Sequence, residues 1–207
     1  MTKKVLIGGL VGGLVMFIWG AVSHVVLQLG DAGLSQLKEH EEPVLNALRQ
    51  NIRSPGLYFY PGFSTDHPGP AEQQAWMEKY RRGPAGLLLY LPSGGEPMTA
   101  KQMVVQAVDD ILIALLAAAL LAGAGGWLRS FFSRVCFIVL IGLVPFLAIN
   151  LPYWNWYGFP TTFTVAQLAD CSIGFLLIGI VLAVIVKPLP SQTLLAPVTP
   201  QRESASS

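Results

Sequence analysis

Seven polar side chains that could do chemistry lie within stretches of this chain that are otherwise apolar. One is an imidazole, two are carboxylates and four are amides: His24, Gln28, Gln106, Asp110, Asn150, Gln167 and Asp170. Imidazole and carboxylate groups can bind metals, transfer protons or hold a polar ligand. Ionisable groups in apolar segments usually face the protein interior, because exposing them to lipid is costly. We therefore expect a buried polar cluster around His24, Asp110 and Asp170, with the four amides beside it.

The elements that carry these side chains are four long apolar runs, residues 5–29, 103–127, 131–151 and 162–186. A helix rises about 1.5 Å per residue, so about 20 residues cross a hydrocarbon core about 30 Å thick. The first run is too long for the apolar core of a cleaved signal peptide, so we expect it to remain as a helix. The sequence thus predicts an all-α membrane protein with a four-transmembrane-helix bundle. Residues 1–29 supply the first helix and residues 102–187 the other three.

The positions of the charges predict an orientation. The chain has 13 basic and 12 acidic residues, and a net charge of +1 gives no reason to expect nucleic-acid binding. Basic residues precede the first apolar run and follow the fourth. They also lie between the second and third runs, near residues 128–133. Because Lys and Arg favour cytoplasmic loops, we expect both termini inside and residues 30–101 outside. The tail, residues 188–207, is rich in Pro, Ser and Thr and is predicted to be disordered.

Residues 30–101, which we call the insertion, have the pattern of a small α+β extracytoplasmic unit. Helices are predicted over 44–52 and 70–82, and strands over 57–60 and 87–91, each strand following an Arg-x-Pro segment. We expect the two strands to pair into a small sheet. Thr99 and Gln102 fit a capping box, which predicts that the second long helix begins near Ala100.

Nothing in the sequence cross-links the insertion. Cys136 and Cys171 are the only cysteines, and the predicted topology places them at different depths, too far apart for a disulfide. About 72 residues without a disulfide make a marginal core. We therefore expect the insertion to rest on the helices or on another protein.

Small residues indicate how the helices pack. Gly8 and Gly12, and Gly9 and Gly13, form two overlapping GxxxG pairs, which allow close helix approach. Residues 9, 13, 20, 24 and 28 share a helical stripe, so the packing face of the first helix is predicted to be its polar face. We favour packing within the chain over dimerisation. Pro145 predicts a kink in the third helix.

An aromatic segment between the third and fourth runs is the second candidate site. It contains Tyr153, Trp154, Asn155, Trp156, Tyr157 and Phe159. We expect a loop at the outer membrane interface, where aromatic belts are common. The alternative is a docking surface for a partner subunit, a lipid or a quinone-like molecule.

Four sequence segments together resemble a family of small, uncharacterised four-helix bacterial membrane proteins. They are IGG at 7–9, FIWGAVSH at 17–24, GGEPM at 94–98 and YWNWYGFP at 153–160. The resemblance covers nearly the whole chain apart from the tail. It implies the same topology and a bacterial inner-membrane location, and it implies no activity.

Three classes of function remain open. An accessory, assembly or scaffold subunit of a larger membrane complex is favoured, with membrane lipid as a partner and other subunits reached through the aromatic segment and the Gly-rich first helix. A small transporter, or a ligand- or proton-binding protein, is the alternative and would use the polar cluster. An enzyme is least favoured, because no HExxH, GxSxG or phosphate-binding Gly loop occurs. For the cluster itself a structural role is favoured, with hydrogen bonds that fix the register of the helices, ahead of ligand or proton binding and of a metal site. Haem is disfavoured because His24 is the only histidine within the apolar runs.

Overall fold

The computed structural model describes residues 3–187. Four of its helices are long and apolar enough to cross a membrane: Lys3–Val26, Ala100–Gly123, Phe131–Tyr157 and Thr161–Ile185, with 24, 24, 27 and 25 residues. The prediction of four long apolar helices is thereby confirmed. The predicted disordered tail lies outside the described residues.

Two of these long helices contain a π-helical turn, which is wider than an α-helical turn. In chain order the α-helices and strands are α1 (Lys3–Ala21), α2 (Glu41–Asn51), β1 (Gly56–Tyr60), α3 (Pro70–Arg82), β2 (Gly86–Tyr90), α4 (Ala100–Gly123), α5 (Phe131–Pro145), α6 (Leu151–Tyr157) and α7 (Thr161–Ile185). A π-helical turn, Val22–Val26, extends α1, and another, Phe146–Asn150, joins α5 to α6. The second follows Pro145, which cannot donate a backbone hydrogen bond, so the predicted irregularity in this helix has its expected cause.

The long helices pack in the order α4, α1, α7, α5, with α1 in extensive contact with both α4 and α7. Although a short turn joins α4 to α5, these two helices contact each other little. The small-residue face of α4 is taken by α1 instead, since a Cβ added at Gly12 would lie 3.1 Å from the Cβ of Ala114. Chain connectivity alone therefore does not determine which helices are neighbours.

Glycines bring the backbones of α1 and α4 together. A Cβ added at Gly13 would lie 2.6 Å from the Cα of Ile111, and one added at Gly9 would lie 3.1 Å from the Cα of Leu115. The GxxxG face of α1 is thus used for packing within the chain, as the sequence predicts.

The apolar core occupies one half of the helices. It includes Val5, Leu121, Ile138, Ile178 and Leu182, all at most 3% exposed. These residues lie towards the ends that carry the chain termini and the α4–α5 turn, which we call the terminal half. The other half, which carries the insertion and α6, we call the distal half.

The insertion contains the predicted small sheet. Strands β1 and β2 pair antiparallel, with Gly56 opposite Tyr90 and Tyr60 opposite Gly86. Each strand begins with Gly and ends with Tyr, so in this register the Gly of each strand lies opposite the Tyr of the other. The short turn Leu29–Asp31 lies against α7, and Gly33 just after it lies against Thr162 and Phe163 of the same helix.

Aromatic side chains of α3 form the centre of the insertion. Trp76 stacks on Phe63 with ring centroids 4.9 Å apart and lies 5.3 Å from Tyr80, which in turn stacks on Phe59. The Trp76 Nε1 donates a hydrogen bond of 2.7 Å to the carbonyl of Pro61. These contacts attach α3 to the sheet and to the loop that precedes it.

That loop is also attached to the first turn of α3 by a carboxylate. The hydroxyls of Ser64 and Thr65 both donate hydrogen bonds to Glu72. These hydrogen bonds, chiefly the one from Ser64 and next the one from Thr65, favour the charged carboxylate. They therefore lower the pKa of Glu72 from its ordinary value.

The predicted capping box is confirmed at the start of α4. Thr99 Oγ1 accepts a hydrogen bond from the Gln102 backbone N–H at 3.2 Å, and Gln102 Oε1 accepts one from the Thr99 N–H at 2.7 Å. This pair fixes the point where the insertion ends and the helix begins.

Candidate functional site

Asp110 is the one ionisable member of the proposed cluster that is fully buried. It is 4% exposed and lies on α4. The Gln106 Nε2 donates a hydrogen bond of 3.1 Å to Asp110 Oδ1. Ala114, four residues further along α4, lies against Gly12, so Asp110 shares the α4 face that packs on α1.

Asp170 lies on α7, where α7 packs on α1. Its backbone carbonyl accepts a hydrogen bond of 3.1 Å from Trp19 Nε1. Its side-chain Oδ1 is buried and has no hydrogen-bond partner among residues 3–187. One turn away, a Cβ added at Gly174 would lie 3.0 Å from Met16 Sδ and 3.1 Å from Trp19 Cδ1. Met16 and Trp19 therefore form the α1 surface on which this part of α7 rests.

His24 does not lie where the sequence predicts. Its side chain is exposed, its Nδ1 is 2.8 Å from Ser23 Oγ, and its ring lies against Gly30. The predicted stripe has already left the packing face at Gly20, where an added Cβ would meet no atom within 4 Å. His24 then lies in a π-helical turn, in which the Leu27 N–H bonds to the Val22 carbonyl five residues back and Ser23 is the fully buried residue.

The four amides are dispersed. Gln28 and Gln106 are exposed, and Asn150 and Gln167 are half-buried. Gln28 has a positive φ of 53° and ends the first long helix, so it cannot continue the stripe of α1. In the part of the chain that the structure describes, the Gln106–Asp110 hydrogen bond is the only one that joins two of the seven side chains. The expected burial of His24, Gln28 and Gln106 is therefore wrong. The two aspartates lie at different helix contacts, Asp110 where α4 packs on α1 and Asp170 where α7 packs on α1.

The chemistry of this site is that of carboxyl groups without basic partners. Between residues 3 and 187, no three His, Cys, Asp or Glu side chains come close enough to hold a metal ion. A buried carboxylate oxygen without a partner is unfavourable, which favours a bound hydrogen-bond donor at that position.

The aromatic segment is a helix and not the predicted loop. Leu151–Tyr157 forms α6, which continues the third long helix and ends at Gly158, whose φ is +71°. Pro152 has no N–H to donate to the turn before it, and that turn, Phe146–Asn150, is the π-helical one. Proline near the start and glycine just past the end are helix signals that the sequence already contains.

The aromatic side chains of α6 pack largely on each other. Tyr153 stacks on Phe159 with centroids 5.2 Å apart and meets Tyr157 edge-on at 5.7 Å. The Trp154 Nε1 donates a hydrogen bond of 3.1 Å to Thr161 Oγ1 at the start of α7. Trp156 is 74% exposed, and Asn155 is also exposed.

Two features of the site were not predicted from the sequence. Trp19 and Ser23 connect α1 to the Asp170 region and to His24, although neither stood out as a site residue. An indole N–H within an apolar run needs an acceptor, and this was the signal that could have identified Trp19. Both cysteines are free, as predicted, and Cys171 Sγ donates to the Gly142 carbonyl at 3.0 Å.

No known protein-family model, curated protein or solved structure matches this chain. The resemblance to small four-helix bacterial membrane proteins therefore stays a prediction, and the site is interpreted from its own geometry.

Proposed function

We propose that this chain is a non-enzymatic integral protein of the bacterial inner membrane, an accessory, assembly or scaffold subunit of a larger complex. In this proposal its four long helices form a transmembrane bundle, both termini face the cytoplasm, and the insertion is extracytoplasmic. The observation that supports a partner is an uncovered apolar face on the insertion.

That face is centred on two leucines that are opposite each other in the sheet. Leu57 and Leu89 are cross-strand partners, and they are 68% and 71% exposed. Phe59 lies on the same side of β1, but Tyr80 of α3 covers part of it, whereas α3 leaves the two leucines open. Exposed apolar patches away from lipid are typical of protein interfaces.

The sheet itself also favours a partner. It has only two strands, so both outer edges carry backbone groups that no neighbouring strand pairs. Isolated two-stranded sheets are marginally stable in water, and open edges readily accept another strand. A subunit seated on Leu57 and Leu89 would stabilise the insertion, which otherwise contacts the long helices little.

The test is photocrosslinking in native membranes. A photoreactive phenylalanine analogue replaces Leu89, and a matched control replaces Gln74, which is exposed on α3. We expect position 89 to crosslink to one membrane-complex subunit that also co-purifies with the unmodified chain in mild detergent, and position 74 not to do so. A Leu57→Ser, Leu89→Ser variant should lose this subunit. Crosslinking to lipid alone, or co-purification unaffected by the double substitution, would refute the proposal.

The orientation is tested separately by cysteine accessibility. A membrane-impermeant maleimide should label Ser93→Cys in the insertion of intact cells and should not label Lys4→Cys. The reverse pattern would place the insertion in the cytoplasm.

A second function, ligand or proton binding within the membrane, is supported by the unpartnered Oδ1 of Asp170 together with buried Asp110. A carboxylic-acid C=O band in the infrared spectrum of the purified protein, absent from Asp170→Asn, would show that this group is protonated. Proteoliposomes of Asp110→Asn, Asp170→Asn should then lose any pH-driven dye response of the wild type. An unchanged spectrum and response in these variants would remove this function.

A further inference from the structure

The terminal ends of the helices carry only positive charge. Among residues 3–187, every Asp and Glu lies between Asp31 and Asp110 or at Asp170, all in the insertion or the distal half. The cations at the terminal end are Lys3, Lys4, Arg129, Arg134 and Lys187. Nothing in the described residues neutralises this end.

Two of these cations are held in place by backbone carbonyls. Arg129 Nε donates to the Gly126 carbonyl at 3.1 Å. Arg134 Nε donates to the Ser130 carbonyl at 3.2 Å, and its Nη1 donates to the Val186 carbonyl at 3.5 Å. The described residues contain one ion pair, Arg49–Glu42, and it lies in the insertion. Each guanidinium is therefore oriented while most of its five N–H donors stay free.

Large aromatic side chains project from the same short segment. Trp127 is 93% exposed and Phe132 is 74% exposed. Trp127 lies beside Arg129 in the turn that joins α4 to α5, and Phe132 lies beside Arg134 in the first turn of α5. Aromatic side chains next to basic ones are typical of the boundary between headgroups and acyl chains.

We propose that this turn, residues 126–134, binds the headgroups of anionic phospholipids, with Arg129 and Arg134 on the phosphate and Trp127 and Phe132 in the acyl boundary. Oriented guanidinium groups match phosphate oxygens through paired hydrogen bonds. The absence of acidic groups in the described part of this end complements the negative surface of an anionic leaflet. The exposed aromatic side chains favour a lipid over a free anion. This inference rests on the proposed membrane location.

The experiment uses the purified full chain in detergent and native mass spectrometry with phosphatidylglycerol or phosphatidylcholine as the probe. Arg129→Gln, Arg134→Gln should weaken phosphatidylglycerol binding by about fivefold for each arginine, the factor expected for one cation at an anionic surface. Phosphatidylcholine binding should be unchanged. The matched control, Arg53→Gln, Arg82→Gln, removes two exposed arginines of the insertion and should bind phosphatidylglycerol like the wild type.

Further arms separate the possible outcomes. Arg129→Lys, Arg134→Lys keeps the charge and should recover part of the binding; full recovery would overturn the role given to the guanidinium groups. Competition by inorganic phosphate as effective as by the lipid would overturn the assignment to a lipid. Circular dichroism of each variant checks that the helices remain folded. If the control and the Gln variant lose binding equally in a protein that is still membrane-inserted, this inference fails while the proposed function stands.

Discussion

Replacing Gly13 with alanine tests the packing of α1 on α4 most directly. The added Cβ would lie 2.6 Å from the Cα of Ile111, about 0.8 Å short of the 3.4 Å at which ordinary van der Waals contact begins. The obstacle is backbone, which no side-chain rotation can remove. The two helices must therefore move apart along their closest approach.

The size of the effect follows from that displacement. A gap of 0.5–1 Å forfeits roughly a quarter to a half of the dispersion energy of the affected contacts. Overpacked sites typically lose about 1–3 kcal/mol, and the higher helix propensity of alanine returns about 1 kcal/mol. We expect Gly13→Ala to lower the free energy of unfolding by up to about 2 kcal/mol.

Gly20 provides the matched control on the same helix. A Cβ added there has no atom within 4 Å, so Gly20→Ala gains helix propensity without a clash. Reversible unfolding of both variants, followed by circular dichroism during titration of mixed micelles with a denaturing detergent, measures the difference. Equal unfolding free energies for the two variants would show that α1 and α4 do not meet as described.

Three further predictions follow from single contacts. Because hydrogen bonds lower the pKa of Glu72 in the folded protein, they stabilise the loop ahead of α3 fully at pH values above the ordinary pKa of 4.5. This stabilisation is lost as the pH falls through the lower pKa of the folded state. Trp76 fluorescence should change in that acid range in the wild type and be pH-independent there in Glu72→Gln. Thr99→Ala should cost about 1 kcal/mol and speed hydrogen exchange in the first turn of α4, and normal exchange would contradict the capping role. Asp170→Asn should leave the unfolding free energy within about 1 kcal/mol of the wild type, since Oδ1 has no partner to lose. Asp110→Ala removes a buried side chain together with its hydrogen bond from Gln106 and should cost more, and a larger loss for Asp170→Asn would contradict these two contacts.

The elements predicted best are those specified by local residue patterns. Helix α3 has the predicted bounds, 70–82, because Pro70 occupies its first turn and Gly83 follows its last residue. The capping box at Thr99 and the two strands between Pro residues were found for the same reason. Hydrophobic run length was enough to identify the four long helices.

The candidate site was predicted less well because the polar stripe of α1 was extended beyond the part of the helix that packs on α4. The stripe that joined Gly20 to His24 and Gln28 assumed 3.6 residues per turn throughout. At Gly20 an added Cβ already meets no atom within 4 Å, and the π-helical turn Val22–Val26 follows, in which Ser23 is buried and His24 is exposed. Apolar periodicity does not reveal such a turn, because Val22, Val25 and Val26 would suit either kind of turn.

Both π-helical turns occur in the distal half, away from the buried core of the terminal half. The terminal half contains the buried core around Leu121, Ile138 and Leu182, with regular helices throughout. The distal half contains both aspartates and the two irregular turns, a departure from regular helix that is often found at functional sites. Because core contacts fix the helices elsewhere, polar groups with unpaired atoms can persist in the distal half without unfolding the protein. Substitution of Asp170 should therefore change the unfolding free energy less than substitution of a core residue such as Ile138.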